Sequence, residues 1–453
     1  MKKFKFLYLL LIFLSLFNCS KDQTSELNTA TNQPQAREEQ SKEPDTSTVT
    51  YFTAEVSQEK DTEMTDDYLI IHDNNGKLID FQSFEKGDSI KFNADQDSIS
   101  MTFTVTQLTI FNKDEPRIFD LISYSEINRN STWKIRPNFI DFNSDQSLTA
   151  TGSFRVGISG TELAVPSAFK LTPRDNAGIS NYFGNNLESE TIWSTFVNPQ
   201  IYENTQDFRI TSYNDAGSSK VFILEDVMNN DSFEIDYEDF TDFDSFIDFS
   251  GSSLGNTNIE FSGYSNRDID VNYSTQSGNL FRFRQRSPGI DLDPASIQIG
   301  YLDEEYTFYS FFVNYFYDYG YVRKYFGSTP PKSIRILDKP NVSITNSSFD
   351  NFSFTLDLDY LRSSSAWRYL RNSEYGQITW TVHAAANSYP KIREFPEELL
   401  EKYPISNIDS LEYVNTSFML DSFSYPEFIE KTFVTQDIET TVRNEEIIIL
   451  GGQ

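Results

Sequence analysis

Apolar and polar residues alternate along most of this chain with a period of two. SFRVGIS (residues 153–159) places Phe154, Val156 and Ile158 on one face, and SISMTFTV (98–105) does the same with Ile99, Met101, Phe103 and Val105. That period belongs to half-buried strands. Helical periodicity is confined to two short stretches, FPEELLEKY (395–403) and YPEFIEKTF (425–433). In the first, Pro396 takes a first-turn position and Glu397 and Glu398 favour the positive helix end. The chain is therefore read as mainly β.

Turn residues sharpen the pattern. Asn75-Gly76, inside LIIHDNNGKLIDF (69–81), is a two-residue hairpin signal. Its register sets His72 opposite Ile79, on the face of Tyr68, Ile70 and Phe81. DIDVNYSTQSGNLFRFRQR (268–286) reads as a second hairpin turning at Ser277 and Gly278. There Tyr273 faces Phe281 and Val271 faces Phe283, while Asp270 and Asp268 meet Arg284 and Arg286 on the opposite face. This pairing accounts for an arginine stripe that would otherwise resemble an anion site.

Three segments recur in order: 67–81 against 207–223, 87–92 against 230–235, and 97–103 against 244–250. The first offset is 140 residues. Two β-modules are expected, 48–190 and 191–340, followed by a C-terminal β-rich domain at 341–453 that carries both helices. Tandem β-sandwiches of immunoglobulin-like or transthyretin-like topology are the architecture such modules suggest.

Composition agrees with packed strands. Aromatic residues are 15% of the chain, with 40 Phe and 25 Tyr, enough to fill cores without disulfides. The stretch Ser20 to Ser47 is the exception. It has no aromatic residue and reads as a disordered tether, whose 28 residues reach roughly 30 Å as a flexible coil.

The N-terminus explains the single cysteine. MKKFKF supplies three lysines, and LYLLLIFLSLF (7–17) follows as an apolar core too short to span a bilayer as a permanent helix. Residues 1–18 read as a signal peptide ending just before Cys19. This segment resembles the signal of Bacteroidetes-type surface lipoproteins, which tolerate residues such as Phe17 and Asn18 ahead of the cysteine. The resemblance implies a lipid on Cys19 and an outer-membrane location. Ser20-Lys21-Asp22 resembles the signal for display on the outer face, the periplasmic face being the alternative. Several acyl chains, at about 0.8 kcal/mol per buried methylene, anchor a protein durably.

Without residues 1–18 the chain keeps 34 basic residues (37 less Lys2, Lys3 and Lys5) against 68 acidic ones, a net charge of −34. Such a surface repels nucleic acid and anionic headgroups. The acidic run DYEDFTDFDSFIDF (236–249) offers oxygens for calcium, although it lacks the spacing of an EF-hand loop. It reads first as a solvated edge interleaved with buried Phe240, Phe243 and Phe246.

No catalytic constellation is recognisable. GSSLG (251–255) matches G-x-S-x-G at Ser253, but the strand-like NTNIEFSGY follows instead of a helix, so it reads as a connecting loop. His72 and His383 lie far apart and suggest no zinc site. The richest aromatic stretch is YTFYSFFVNYFYDYGYVRKYF (306–326). As one strand it aligns Tyr315, Tyr317, Tyr319 and Tyr321 as a candidate ligand-binding row. The expected function is a lipid-anchored surface protein that binds a glycan or a protein, or forms part of an outer-membrane complex. The alternative is a surface polysaccharide hydrolase using carboxylates that the fold brings together.

Overall fold

The structure, a computed structural model, describes residues 48–60, 65–111, 117–136, 150–161, 166, 168–174, 181–183, 186–187, 192–214, 217–251, 257–264, 277–283, 296–303, 305–370, 377–403, 410–435 and 444–451. Strands dominate, as the period-two pattern requires. Residues 48–135 form seven: β1 (Thr48–Val56), β2 (Thr65–His72), β3 (Leu78–Phe84), β4 (Ser89–Asp95), β5 (Thr102–Phe111), β6 (Ile118–Asn128) and β7 (Ser131–Ile135). One sheet has the order β6-β5-β2-β3 and the other β4-β1-β7, in which β1 and β7 run parallel. Phe52, Leu69, Phe92, Phe103 and Trp133 fill the space between the sheets.

The same strand order recurs. In 152–236 the sheets read Gly217–Met228, Thr205–Asn214, Ala168–Pro173, Asn181–Phe183 and, opposite, Ile192–Val197, Arg155–Thr161, Ser232–Asp236. In 245–335 they read Gly320–Gly327, Phe308–Phe316, Thr257–Tyr264, Ser277–Phe283 and Ser296–Tyr301, Ser245–Ser250, Ser333–Arg335. Each copy preserves the one parallel pair. A fourth copy shows the larger sheet, Glu445–Gly451, Glu412–Asp421, Arg362–Leu370, Gln377–Ala385. In the first copy the second strand, β2, sits between the fifth and third, whereas immunoglobulin domains place the second between the first and fifth. Of the two expected topologies, the transthyretin-like one remains.

Backbone detail repeats as well. Glu126 and Asn130 have φ of 55° and 66°, and Asp226 and Asn230 have 51° and 71°. Asn130 N–H donates to Tyr51 O (2.8 Å), and Asn230 N–H donates to Ser153 O (2.7 Å). The period from Asn130 to Asn230 is thus 100 residues, which corrects the expected 140. The longer offset aligned the β2–β3 hairpin with the hairpin Thr205–Met228, whose true counterpart is β5–β6. Boundary 190/191 consequently falls inside the second copy, where Ala168–Pro173 pairs with Thr205–Asn214.

Copies three, four and one share a single twelve-stranded sheet. Gly320–Gly327 pairs antiparallel with Glu445–Gly451, and Gln377–Ala385 pairs parallel with β6. One face of this sheet, from Tyr68 and Ile70 across Leu121 to Trp380 and Trp367, is covered by Phe349, Phe395, Leu399 and Tyr403. Residues Tyr68, Leu69, Ile70 and Ile71 are therefore all buried, because β2 faces a core on each side.

Copies two and three meet through the parallel pair Gly217–Gln298. Gly217 has φ +113°, and a Cβ there would collide with Gln298 O. A second contact between these copies is the pair of Arg209 with Glu305, which also accepts from Arg174 Nε (3.2 Å). Burial draws the Arg209 guanidinium down to about 10.

Three local expectations are corrected. Ser277 and Gly278 lie in a strand paired with Gly263 and Tyr264, so 268–286 does not turn there; residues 265–276 and 284–286 lie outside the described set. Met101 precedes β5 and is 75% exposed, while Ile99, Phe103 and Val105 are buried. Phe246 is exposed, unlike Phe240 and Phe243. Helices at Glu397–Lys402 and Tyr425–Ile429 occupy both expected stretches.

Candidate functional site

The tyrosine row does not form. Phe308–Phe316 and Gly320–Gly327 are two strands of a hairpin with Tyr315 opposite Tyr321, so residues 317–319 make the turn. Tyr315, Tyr319 and Tyr321 are buried in the third copy's core with Phe311 and Val313. Tyr321 OH donates to Glu446 Oε1 (2.7 Å), with Arg335 O at 3.0 Å, and Tyr319 OH donates to Leu337 O. Burial first, and then Glu446, raises the Tyr321 hydroxyl far above its ordinary pKa. Only Tyr317, at 77% exposure, faces solvent. Tyrosine serves as a core residue here because its hydroxyl reaches carbonyl groups at the end of the sandwich.

Other candidates fall to structural roles or outside the described residues. Cys19, the tether and Ser253 are outside. His72 is buried and its Nε2–H donates to Glu394 O (2.7 Å). His383 stacks on Tyr124, and burial, with Arg362 adding to it, pulls its imidazole down to about 3. The acids of 236–248 diverge. Asp236 accepts from Glu238 N–H, Asp244 from Asp303 N–H, and Asp248 from Gln298 Nε2 (each 3.0 Å). Among the described residues no three His, Cys, Asp or Glu side chains converge on a metal position.

The structure instead opens a cleft of about 660 Å³ between the first and fourth copies. Small-molecule sites span ~300–1,000 Å³. Its first-copy side presents Thr102, Glu126, Asn128 and Trp133, and its fourth-copy side Tyr389, Lys391, Tyr425 and Glu430. Local geometry sets each wall. The left-handed backbone at Glu126 bends the end of β6, and Ser388 Oγ donates to Glu126 Oε1 (2.8 Å). Ser424 and Glu427 form a capping box that starts the helix Tyr425–Ile429. Tyr425 OH then donates to Ser125 O (2.8 Å).

The walls are clamped at both ends. Phe433 stacks on Trp133 with centroids 3.8 Å apart and planes at 7°. Arg393 N–H donates to Gly76 O and Leu78 N–H to Glu394 Oε2, both at 3.0 Å. Trp133 is 1% exposed, and its Nε1–H is buried with no acceptor among the described residues. Sequence reading missed this site because its walls are distant in the chain. Two parts were legible: Asn75-Gly76, which supplies the turn that docks on Arg393, and the helical stretch 425–433, which supplies Tyr425 and Glu430.

No protein-family model matches the chain, and no curated protein matches it. Among solved structures it is distantly similar to the fimbrial anchor protein Mfa2 from Porphyromonas gingivalis, at 10% identity and TM-score 0.15, covering 43% of this chain and 95% of that one. It is also similar to a candidate adhesin from Bacteroides ovatus, at 8% identity and TM-score 0.14, covering 41% and 86%. A third similarity is to a Ca²⁺-stabilised adhesin with which an Antarctic bacterium binds ice, at 10% identity and TM-score 0.10, covering 83% and 95%. At these scores none of the three assigns a function. Among the described residues no helix is long and apolar enough to cross a membrane.

Proposed function

We propose that this chain is a cell-surface binding protein, tethered to the outer membrane through a lipid on Cys19, that carries its ligand site on a scaffold of repeated sandwiches. The observation that carries the binding reading is the cleft between the first and fourth copies, lined by both polar and apolar groups and braced by hydrogen bonds from both. The anchor reading rests on the charged and apolar segments ahead of Cys19 and on the polar tether behind it. Fatty-acid labelling should mark the wild type and not Cys19→Ser. Protease treatment of intact cells should remove the body of the wild-type protein. Equal labelling of the variant would refute the anchor, and full protection from protease would refute surface display.

A hydrolytic reading has one observation in its favour. Glu126 and Glu430 line the same cleft, and glycoside cleavage uses paired carboxylates. Release of new reducing ends from a polysaccharide, abolished in both Glu126→Gln and Glu430→Gln, would replace the non-catalytic assignment with this one.

A further inference from the structure

We propose that the cleft between the first and fourth copies takes a neutral polyhydroxylated ligand, a short oligosaccharide being the chemical class that fits. This deepens the binding reading above and rests on it.

The lining groups select the class by elimination. Among the described lining residues Glu126 and Glu430 stand against one ammonium, Lys391, so these carry no cationic excess, and the whole chain carries −31. An anion is therefore repelled. A cation suits the two carboxylates but offers only donors. It would leave the donors of Asn128, Lys391 and Trp133 without acceptors, each at the cost of a desolvated group. An apolar ligand fails more broadly, since every amide and hydroxyl in the cleft would lose water without replacement.

A sugar hydroxyl both donates and accepts, and the C–H faces of a sugar ring suit apolar edges such as those of Pro390, Ile429 and Val434. Trp133 is an independent indication. Its ring is held by Phe433 and Phe52, yet its Nε1–H has no acceptor among the described residues. Buried polar groups are usually paired, and a ligand oxygen supplies the missing partner once a small shift of this wall uncovers the N–H.

Because the two walls belong to different copies, a ligand filling the cleft also ties them together. Binding should then raise the melting temperature with ligand concentration, by mass action on the folded state.

The test uses the full mature chain and four neutral tetrasaccharides: β-1,4-glucan, α-1,4-glucan, β-1,4-mannan and β-1,3-glucan. Tetragalacturonate and a chitosan tetramer serve as charged controls. Calorimetry and thermal shift read the binding. We expect at least one neutral tetrasaccharide to bind more tightly than both controls and to raise the melting temperature. Asn128→Ala and Lys391→Ala should each weaken that binding about tenfold or more while leaving the ligand-free melting temperature in place. Trp133→Phe keeps an aromatic ring against Phe433 but removes the N–H together with the rest of the pyrrole ring; it should weaken binding as well, and that loss is read at a temperature well below the variant's own ligand-free melting temperature.

The proposal is overturned if no neutral sugar binds at millimolar concentration, if a charged control binds best, or if binding is unchanged in all three variants. Failure of surface display with sugar binding intact would refute the location alone. Surface display with no sugar binding would refute this site alone.

Discussion

At the scale of single residues, the buried tyrosines and histidines decide what substitutions do. Tyr321 is fully buried and its hydroxyl is paired with Glu446. Tyr321→Phe should cost about 1.5–3 kcal/mol in urea unfolding, the value of a hydrogen bond to a charged group. Tyr317→Ala should fall within about 0.5 kcal/mol of wild type, as exposed positions do. Equal losses at the two positions would contradict the hairpin. His383 sets a pH dependence whose sign is fixed. Its native pKa of about 3 lies below the unfolded ~6.5, so the unfolded chain takes the proton first. Stability is then complete above about pH 6.5 and falls by ~1.4 kcal/mol per pH unit on acidification toward 3. His72, also depressed by burial, adds a loss of the same sign. Melting temperatures at pH 7 and pH 5 should differ less in His383→Phe, which keeps the ring against Tyr124, than in wild type. An unchanged difference would show that His383 is not buried neutral.

At the scale of elements, strand type was legible and strand partners were not. Phe154, Val156 and Ile158 are buried together as their alternation required, and Asn75-Gly76 turns β2 into β3 with Gly76 at φ 85°. The expected register holds at Ile70–Phe81 and slips by one residue at the end, where a bulge sets His72 opposite Leu78. A local pattern specifies a hairpin without saying which hairpin of the sandwich it is. That ambiguity produced the 140-residue offset. The contact between the second and third copies offers a sharper test. Arg209 and Glu305 are each 2% exposed and paired. Glu305→Ala should cost ~3–5 kcal/mol, because it strands a buried cation. Arg209→Met with Glu305→Leu should recover most of that loss, since a buried ion pair is often neutral against well-packed apolar residues. A double variant as unstable as the single one would mean that the pair itself carries the contact.

At the scale of the whole molecule, the shared sheet couples copies that are remote in sequence. β6 pairs in parallel with Gln377–Ala385, so the first and fourth copies should open together. Phe103→Ala in the first core, expected to cost ~3–5 kcal/mol, should speed amide exchange at residues 377–385 as well as in β5. It should leave residues 205–214 in the second copy unaffected. Exchange rising only within 48–135 would mean that the copies unfold separately. What the chain itself determined is local: strands from alternation, helices from proline and acidic first turns, and one hairpin from Asn-Gly. Each depends on neighbours within a few residues, where backbone sterics and side-chain spacing act directly. Tertiary structure alone decided the strand order, the burial of Tyr315, Tyr319 and Tyr321, and the cleft. These depend on pairings such as Glu126 with Ser388 and Ser125 with Tyr425. Such contacts form only when the loop-closure entropy of a long chain segment is offset by the burial of a shared core.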